Sequence, residues 1–185
     1  MVEGAVRTIA EGSPGGPHHF PRQHGRPGTS ARGRGAQKKG GQATQSLGRS
    51  RGGFGTKIHT AVSDERTALA VVLTPGQTGD APTYPKLMAA VPKECPVKAV
   101  AADKAYDSDA IRGDLKDRRI EPVIPPLACR KEAIPYDKAT YKERNKVERL
   151  INKMKQFRRV ATRYDKLDLS FLGFIHLTAA LIMIR

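Results

Sequence analysis

From residue 54 onward the apolar positions fall into short, distinct periods. FGTKIHTAV alternates as a strand does, SDERT supplies a polar turn, and ALAVVLTPG is a second strand, which predicts a β-hairpin over residues 54–76. A helical stretch follows from about Ala81 to Ala90 and ends before Pro92. VKAVAAD is short, apolar and β-branched, as suits a buried strand ending at Asp103. YDSDAIRGDLKDRRI predicts a helix capped by Asp107 or Ser108, and EPVIPP a short extended piece stopped by prolines. A long basic helix, Tyr141 to Val160, and a final apolar helix complete the chain. The order strand, strand, helix, strand, helix, strand, helix, helix predicts an α/β fold with mixed strand directions.

The first fifty residues have a different character. Thirteen of the eighteen glycines lie within residues 1–53, and PGGPHHFPRQHGRPG and ARGRG set the tone. Such a segment buries too little apolar surface to offset its ordering entropy, so residues 1–50 are expected to be mostly disordered and residues 51–185 to form one domain. His18, His19 and His24 sit among glycines and prolines that fix no geometry, which argues against a metal cluster.

Charge narrows the partner. Thirty-three Lys and Arg against eighteen Asp and Glu give a formal charge of +15. A polyanion is the natural partner, and nucleic acid comes first because a phosphate backbone rewards Lys and Arg through counterion release. The isolated Cys95 and Cys129 suggest neither a zinc ribbon nor a disulfide framework, which fits a reducing cytoplasm. LSFLGFIHLTAALIMI is shorter than a bilayer span and contains His176 and Thr178, so it is expected to be a buried helix, with no membrane association.

One carboxylate stands out in the basic helix YKERNKVERLINKMKQFRRV. At about 100° per residue, Tyr141, Arg144, Glu148 and Lys155 share an arc of roughly 60°, beside an apolar stripe of Val147, Leu150, Ile151 and Met154. Glu148 therefore sits at the border of core and solvent. It can pair with Arg144 or Lys155 as ordinary helix support, or it can hold a ligand that the cations surround. Asp103, at the C-terminal end of a buried strand, occupies a common active-site position in α/β folds.

The spacing Tyr141, two residues, Arg144, three residues, Glu148, six residues, Lys155 resembles the Y-(2)-R-(3)-E-(6)-K motif of bacterial insertion-sequence transposases of the DDE type. VAADKAYDSDAIR resembles their second-aspartate block, GRSRGGFGTKIHTAV the strand after their first aspartate, and RYDKLDLSFLGFIHLTAALIMIR their C-terminal helix. The likeness spans roughly residues 36–185. It implies a ribonuclease-H-like mixed sheet with flanking helices, in which Asp, Asp and Glu hold two divalent ions, Mg²⁺ or Mn²⁺, for phosphodiester cleavage and strand transfer in DNA transposition. By that resemblance Asp103 is the second Asp and Glu148 the Glu, while Tyr141, Arg144 and Lys155 contact DNA phosphates. Arg49, Arg51 and Lys104 are further candidates for DNA contact, weighed against simple solvation. The resemblance also implies a homo-oligomer on transposon ends and target DNA, in a nucleoid-associated, cytoplasmic setting.

One feature departs from the family pattern. Residues 1–63 contain no aspartate, and the only acids before Asp64 are Glu3 and Glu11. Asp64 lies in the SDERT turn, and Asp80, Asp107 and Asp109 read as caps or surface charges. The family strand that carries the first Asp is central to the sheet, so the fold is expected to be incomplete for lack of that strand, although GAVRTIA could try to substitute. One explanation is that residues 1 to about 35 are translated from another frame of a transposase gene, or joined to an upstream frame by programmed frameshifting. The chain alone is then expected to cleave DNA poorly. An alternative function is a non-catalytic basic DNA-binding derivative that modulates an intact transposase. A ribosomal or RNA-binding role lacks RNP-like or KH-like patterns.

Overall fold

The slot for a central strand, which the sequence leaves open, is filled from the far N-terminus. The computed structural model describes residues 4–11, 45–50, 53–132 and 134–185. Its strands are β1 (Gly4–Glu11), β2 (Gly48–Ser50), β3 (Gly53–Val62), β4 (Ala68–Pro75), β5 (Val97–Ala102) and β6 (Glu121–Val123). Its helices are α1 (Tyr84–Ala90), α2 (Asp109–Asp117), α3 (Lys138–Lys142), α4 (Asn145–Lys155), α5 (Arg158–Ala161) and α6 (Asp168–Ile184).

The sheet runs β2-β3-β1-β5-β6, with β4 paired to β3. Strand β1 lies antiparallel to β3, with Arg7 opposite Val62 and Glu11 opposite Ile58. It runs parallel to β5, with Arg7 level with Ala101 and Thr8 with Ala102. The expectation of an incomplete sheet is thus corrected: GAVRTIAE supplies the middle strand. The physical reason is that β3 and β5 would otherwise each present an unpaired ladder, and the β-branched Val6, Thr8 and Ile9 suit the extended backbone that satisfies both. A central strand flanked by the hairpin and by the strand ending at Asp103 is the order the ribonuclease-H-like expectation requires.

Strand alternation divides the core in two. On one face Ala61, Ala70, Val100 and Ala102 pack with Tyr84, Leu87 and Met88 from the α1 region and with Ile111 and Leu115 of α2. On the other, Val62 and Val71 pack with Val147, Leu150, Ile151 and Met154 of α4, Val160 of α5, and Phe171 and Ile175 of α6. Neighbours in sequence on β3 and β4 enter opposite cores, as the period of two demands. The sheet is therefore sandwiched between two helical layers.

The hairpin, the α1 region, β5, α2 and β6 form where the periodicity places them. Ser108 is the α2 cap, accepting from the Ile111 amide at 3.2 Å. Three expectations are corrected. The long helix is divided into α3, α4 and α5. Between α3 and α4 the backbone stays right-handed, but Arg144 and Val147 donate to carbonyls three residues back, which tightens the turn. Helix α6 is buried on one side only: Phe171, Ile175, Thr178 and Ile182 face the core, while Leu169, Leu177, Leu181 and Ile184 are exposed. Among the described residues no helix is long and apolar enough to cross a membrane. Finally, residues 1–50, expected to be mostly disordered, include the strands β1 and β2. The histidine-rich stretch with His18, His19 and His24, the ARGRG segment and Arg51 lie outside the described residues.

Candidate active site

Asp103 is the first residue beyond β5 and begins a 3-10 turn, Lys104–Tyr106. Its Oδ1 accepts from the Lys104 amide at 2.6 Å, so the carboxylate is fixed at the end of the strand while remaining partly exposed. The turn is anchored from below. Tyr106 is buried, with its hydroxyl 3.5 Å from Nδ1 of His59, and Nε2 of His59 is 2.8 Å from the Thr74 hydroxyl. Burial lowers the His59 pKa to about 4, with Asp80 opposing that shift and Lys57 adding to it. His59 is thus a neutral structural group beneath the site.

The second carboxylate arrives from α4. Asp137 caps α3 by accepting from the amides of Ala139 at 2.8 Å and Thr140 at 3.1 Å. Tyr141 follows, its ring meeting that of Tyr136 edge-on at 5.5 Å. The Arg144 guanidinium lies 5.7 Å from the centre of the Tyr141 ring and donates to Glu148 Oε1 at 2.7 Å. Burial raises the Tyr141 pKa, Arg144 opposes, and the charges of Asp103 and Glu148 raise it further, together with Tyr136. Helix α3 packs against β5 and β6, so the segment that leads through Tyr141 and Arg144 to Glu148 lies beside the strand that leads into Asp103.

The structure gathers four of the expected site residues: Asp103, Tyr141, Arg144 and Glu148. Lys104 is exposed directly after Asp103. Lys155 ends α4, two turns beyond Glu148 and about 10 Å further along the axis. Arg49 is exposed on β2, away from this cluster in sequence and in the sheet order.

Two features escaped the sequence reading. Tyr136 joins the site through its ring, and only its short distance from Tyr141 in sequence could have hinted at it. Asp107, expected as a cap or surface charge, is instead fully buried and held by three donors: Arg112 Nε at 2.7 Å, the Leu127 amide at 2.7 Å and Arg130 Nε at 2.6 Å. Burial alone would raise its pKa, yet these donors hold it at about 2. Arg112 also reaches the Ile124 carbonyl at 2.7 Å, so this cluster ties the segment after β6 to the turn that carries Asp103.

The donor set suits a hard cation. Asp103 accepts from the Lys104 amide and Glu148 from Arg144, and both offer the hard carboxylate oxygens that suit a cation such as Mg²⁺. Two carboxylates fit one such ion better than a pair. Among the described residues no group of three His, Cys, Asp or Glu side chains stands close enough together to hold a metal.

The family model described as "Transposase DDE domain" matches residues 28–183 of this chain. A Brucella ovis protein assigned as the transposase for insertion sequence element IS6501 is 34% identical over 131 residues, covering 70% of this chain and 98% of that protein. Among solved structures, the catalytic core domain of BIV integrase superposes with a TM-score of 0.43 at 16% identity, covering 70% of this chain and 74% of the other.

Proposed function

Because the chain belongs to the family of DDE transposases of insertion sequences, we propose that Asp103 and Glu148 hold the divalent metal for phosphodiester cleavage and strand transfer in DNA. The observation that supports this reading is the packing of α3, which carries Tyr141, against β5, which leads into Asp103, with Arg144 donating to Glu148 at 2.7 Å one turn on. A bound Mg²⁺ or Mn²⁺ supplies Lewis-acid polarisation of the phosphate and activation of a water or 3′-hydroxyl.

The protein's own groups do the rest. The turn anchored by Tyr106 and His59 holds Asp103 in place, and Arg144 orients Glu148 through its hydrogen bond. Tyr141 and Arg144 present a hydroxyl and a guanidinium to a DNA phosphate, and Lys104 and Lys155 add positive charge along the backbone path. Arg49, exposed on β2, would meet DNA separately from this cluster. Transposon ends and target DNA are the substrates, and copies of the chain assemble on them in a nucleoid-associated complex.

The test is nicking of a supercoiled plasmid carrying the element's ends, with Mg²⁺ and purified full chain. Cleavage lost in Asp103→Asn and in Glu148→Gln is expected; cleavage unchanged in both would sink the reading. The second reading, a non-catalytic DNA-binding derivative that modulates an intact transposase, is favoured by the absence of a third described acid at the site. It predicts shift of DNA in a gel with no metal-dependent nicking at all.

A further inference from the structure

Helix α6 has two apolar sides, and the fold uses one of them. Phe171, Ile175, Thr178 and Ile182 face the core. At about 100° per residue, Leu169, Gly173, Leu177, Ala180 and Ile184 lie within an arc of about 80° on the opposite side, and Leu181 borders it. Leu169 is 81% exposed, Leu177 56% and Ile184 79%, where a helix that only covers a core carries polar residues. Steps of four, four, three and four residues along this stripe are those of a seam that meets another helix.

Gly173 is the residue that the fold by itself gives no reason for. Glycine is the poorest helix former after proline, yet Gly173 stands in the first half of α6, and among the described residues a Cβ built there meets nothing within 4 Å outside its own helix. A missing side chain at such a point sets how closely a second helix can approach. Charge narrows what that helix belongs to. The stretch Leu169–Ile184 contains no Lys, Arg, Asp or Glu, in a chain of formal charge +15. Two copies can meet here without bringing cations together, whereas a nucleic acid finds nothing to hold its phosphates.

The area is of the right order. Leucine-sized side chains at these exposures leave a patch on the order of 500 Å², near the upper end of what a monomer ordinarily exposes, against roughly 800 Å² per partner in a standard interface. Beside the stripe, Ala68 and Ala70 of β4 with His176, Ala179, Ala180 and Met183 of α6 line a groove of about 210 Å³, which adds to the surface a partner can cover.

We propose that this side of α6 is the surface on which a second copy of the chain docks, the two α6 helices lying antiparallel about a two-fold axis at Leu177. This deepens the assembly of copies given above and rests on that part of the reading alone. A two-fold contact sets one patch against itself. With Leu177 on the axis, Gly173 of each copy stands opposite Leu181 of the other, so a recess takes a large side chain on both sides of the axis. Antiparallel helices also set the positive end of each macrodipole beside the negative end of its neighbour.

The experiment is sedimentation velocity on the purified full chain, without DNA or metal, across the micromolar range. The wild type is expected to form a dimer that raised salt does not weaken. Leu177→Lys is expected to weaken the dimer by about tenfold or more while the urea midpoint stays close to wild type, since Leu177 is exposed. Gly173→Leu is expected to weaken it comparably by filling the recess, although the substitution favours the helix itself. Lys116→Leu, exposed on α2, is expected to leave it unchanged. Should either α6 variant fail to fold, Leu177→Ala is read instead, with a several-fold loss expected. A dimer that survives the α6 substitutions overturns the inference and leaves the assembly of copies to another face. A wild type that stays monomeric alone but pairs on DNA carrying the element's ends, or that stays monomeric and floats with anionic lipid vesicles, overturns it as well. A wild type monomeric both with and without that DNA overturns the assembly reading too.

Discussion

Arg144 and Glu148 stand one helical turn apart, joined at 2.7 Å, and the same guanidinium lies 5.7 Å from the centre of the Tyr141 ring. One cation thus orients the carboxylate and covers the aromatic face beside it. Arg144→Lys keeps the charge but loses the planar fork and the stacking. As stability, the pair is a half-exposed helical contact worth about 0.5 kcal/mol or less. The expected outcome is therefore an urea midpoint close to wild type, with DNA nicking reduced about tenfold or more. A variant that loses stability and activity in proportion would show Arg144 to be a scaffold residue only.

Binding and cleavage are expected to separate on metal removal. On the proposed reading, affinity for DNA comes from cations and counterion release, whereas cleavage needs an ion held by Asp103 and Glu148. Chelation with EDTA should abolish nicking and leave a gel shift in place. In the same assay, Lys104→Ala should flatten the dependence of log affinity on log salt by about one unit if it meets a phosphate. An unchanged slope would assign Lys104 to solvent.

Asp107 is expected to matter more for folding than its position in the sequence suggests. Asp107→Asn leaves the buried Arg112 without its counter-ion, a change that costs about 3 kcal/mol or more in comparable buried pairs. Urea denaturation should show it directly. The carboxyl has a folded pKa depressed to about 2 against an ordinary value of 3.8. Its contribution is therefore present above the ordinary value and lost as pH falls through about 2.

His59 gives an opposite and milder acid limit. Its folded pKa is about 4 against 6.5 for an unperturbed imidazole. Between those values the unfolded chain binds a proton that the folded chain excludes, so stability rises with pH over that window. The loss on going from pH 6.5 to pH 4 is expected to reach about 3 kcal/mol. His59→Gln should flatten that segment of the stability profile; a variant with the wild-type slope would show that another group is responsible.

Much of the site could be read in the sequence because it sits on local periodicity. Alternation located the hairpin and β5, and with β5 the position of Asp103; the spacing on the basic helix located Tyr141, Arg144 and Glu148. Long-range features were not legible in the same way. GAVRTIAE is a weak strand by itself, and nothing in its eight residues says that two distant ladders await it. Asp107 looks like any acid before a helix, since its burial depends on Arg130, twenty-three residues away. The division between α3 and α4 turns on a change of hydrogen-bond span that leaves the helical pattern of side chains almost unaltered.

The N-terminal origin of the central strand also sets a timetable for the nascent polypeptide. Strand β1 is synthesised before both of its neighbours, which are complete only once the ribosome has passed residues 62 and 102. Closing such loops costs entropy that rises only slowly with length, but the wait cannot be shortened, and long-range pairings of this kind fold late. During that interval β1, β3 and β4 can pair while the edge of β1 meant for β5 stays bare, a state prone to pairing with other chains. Arrival of β5 beside β1 is thus the step that seals the sheet.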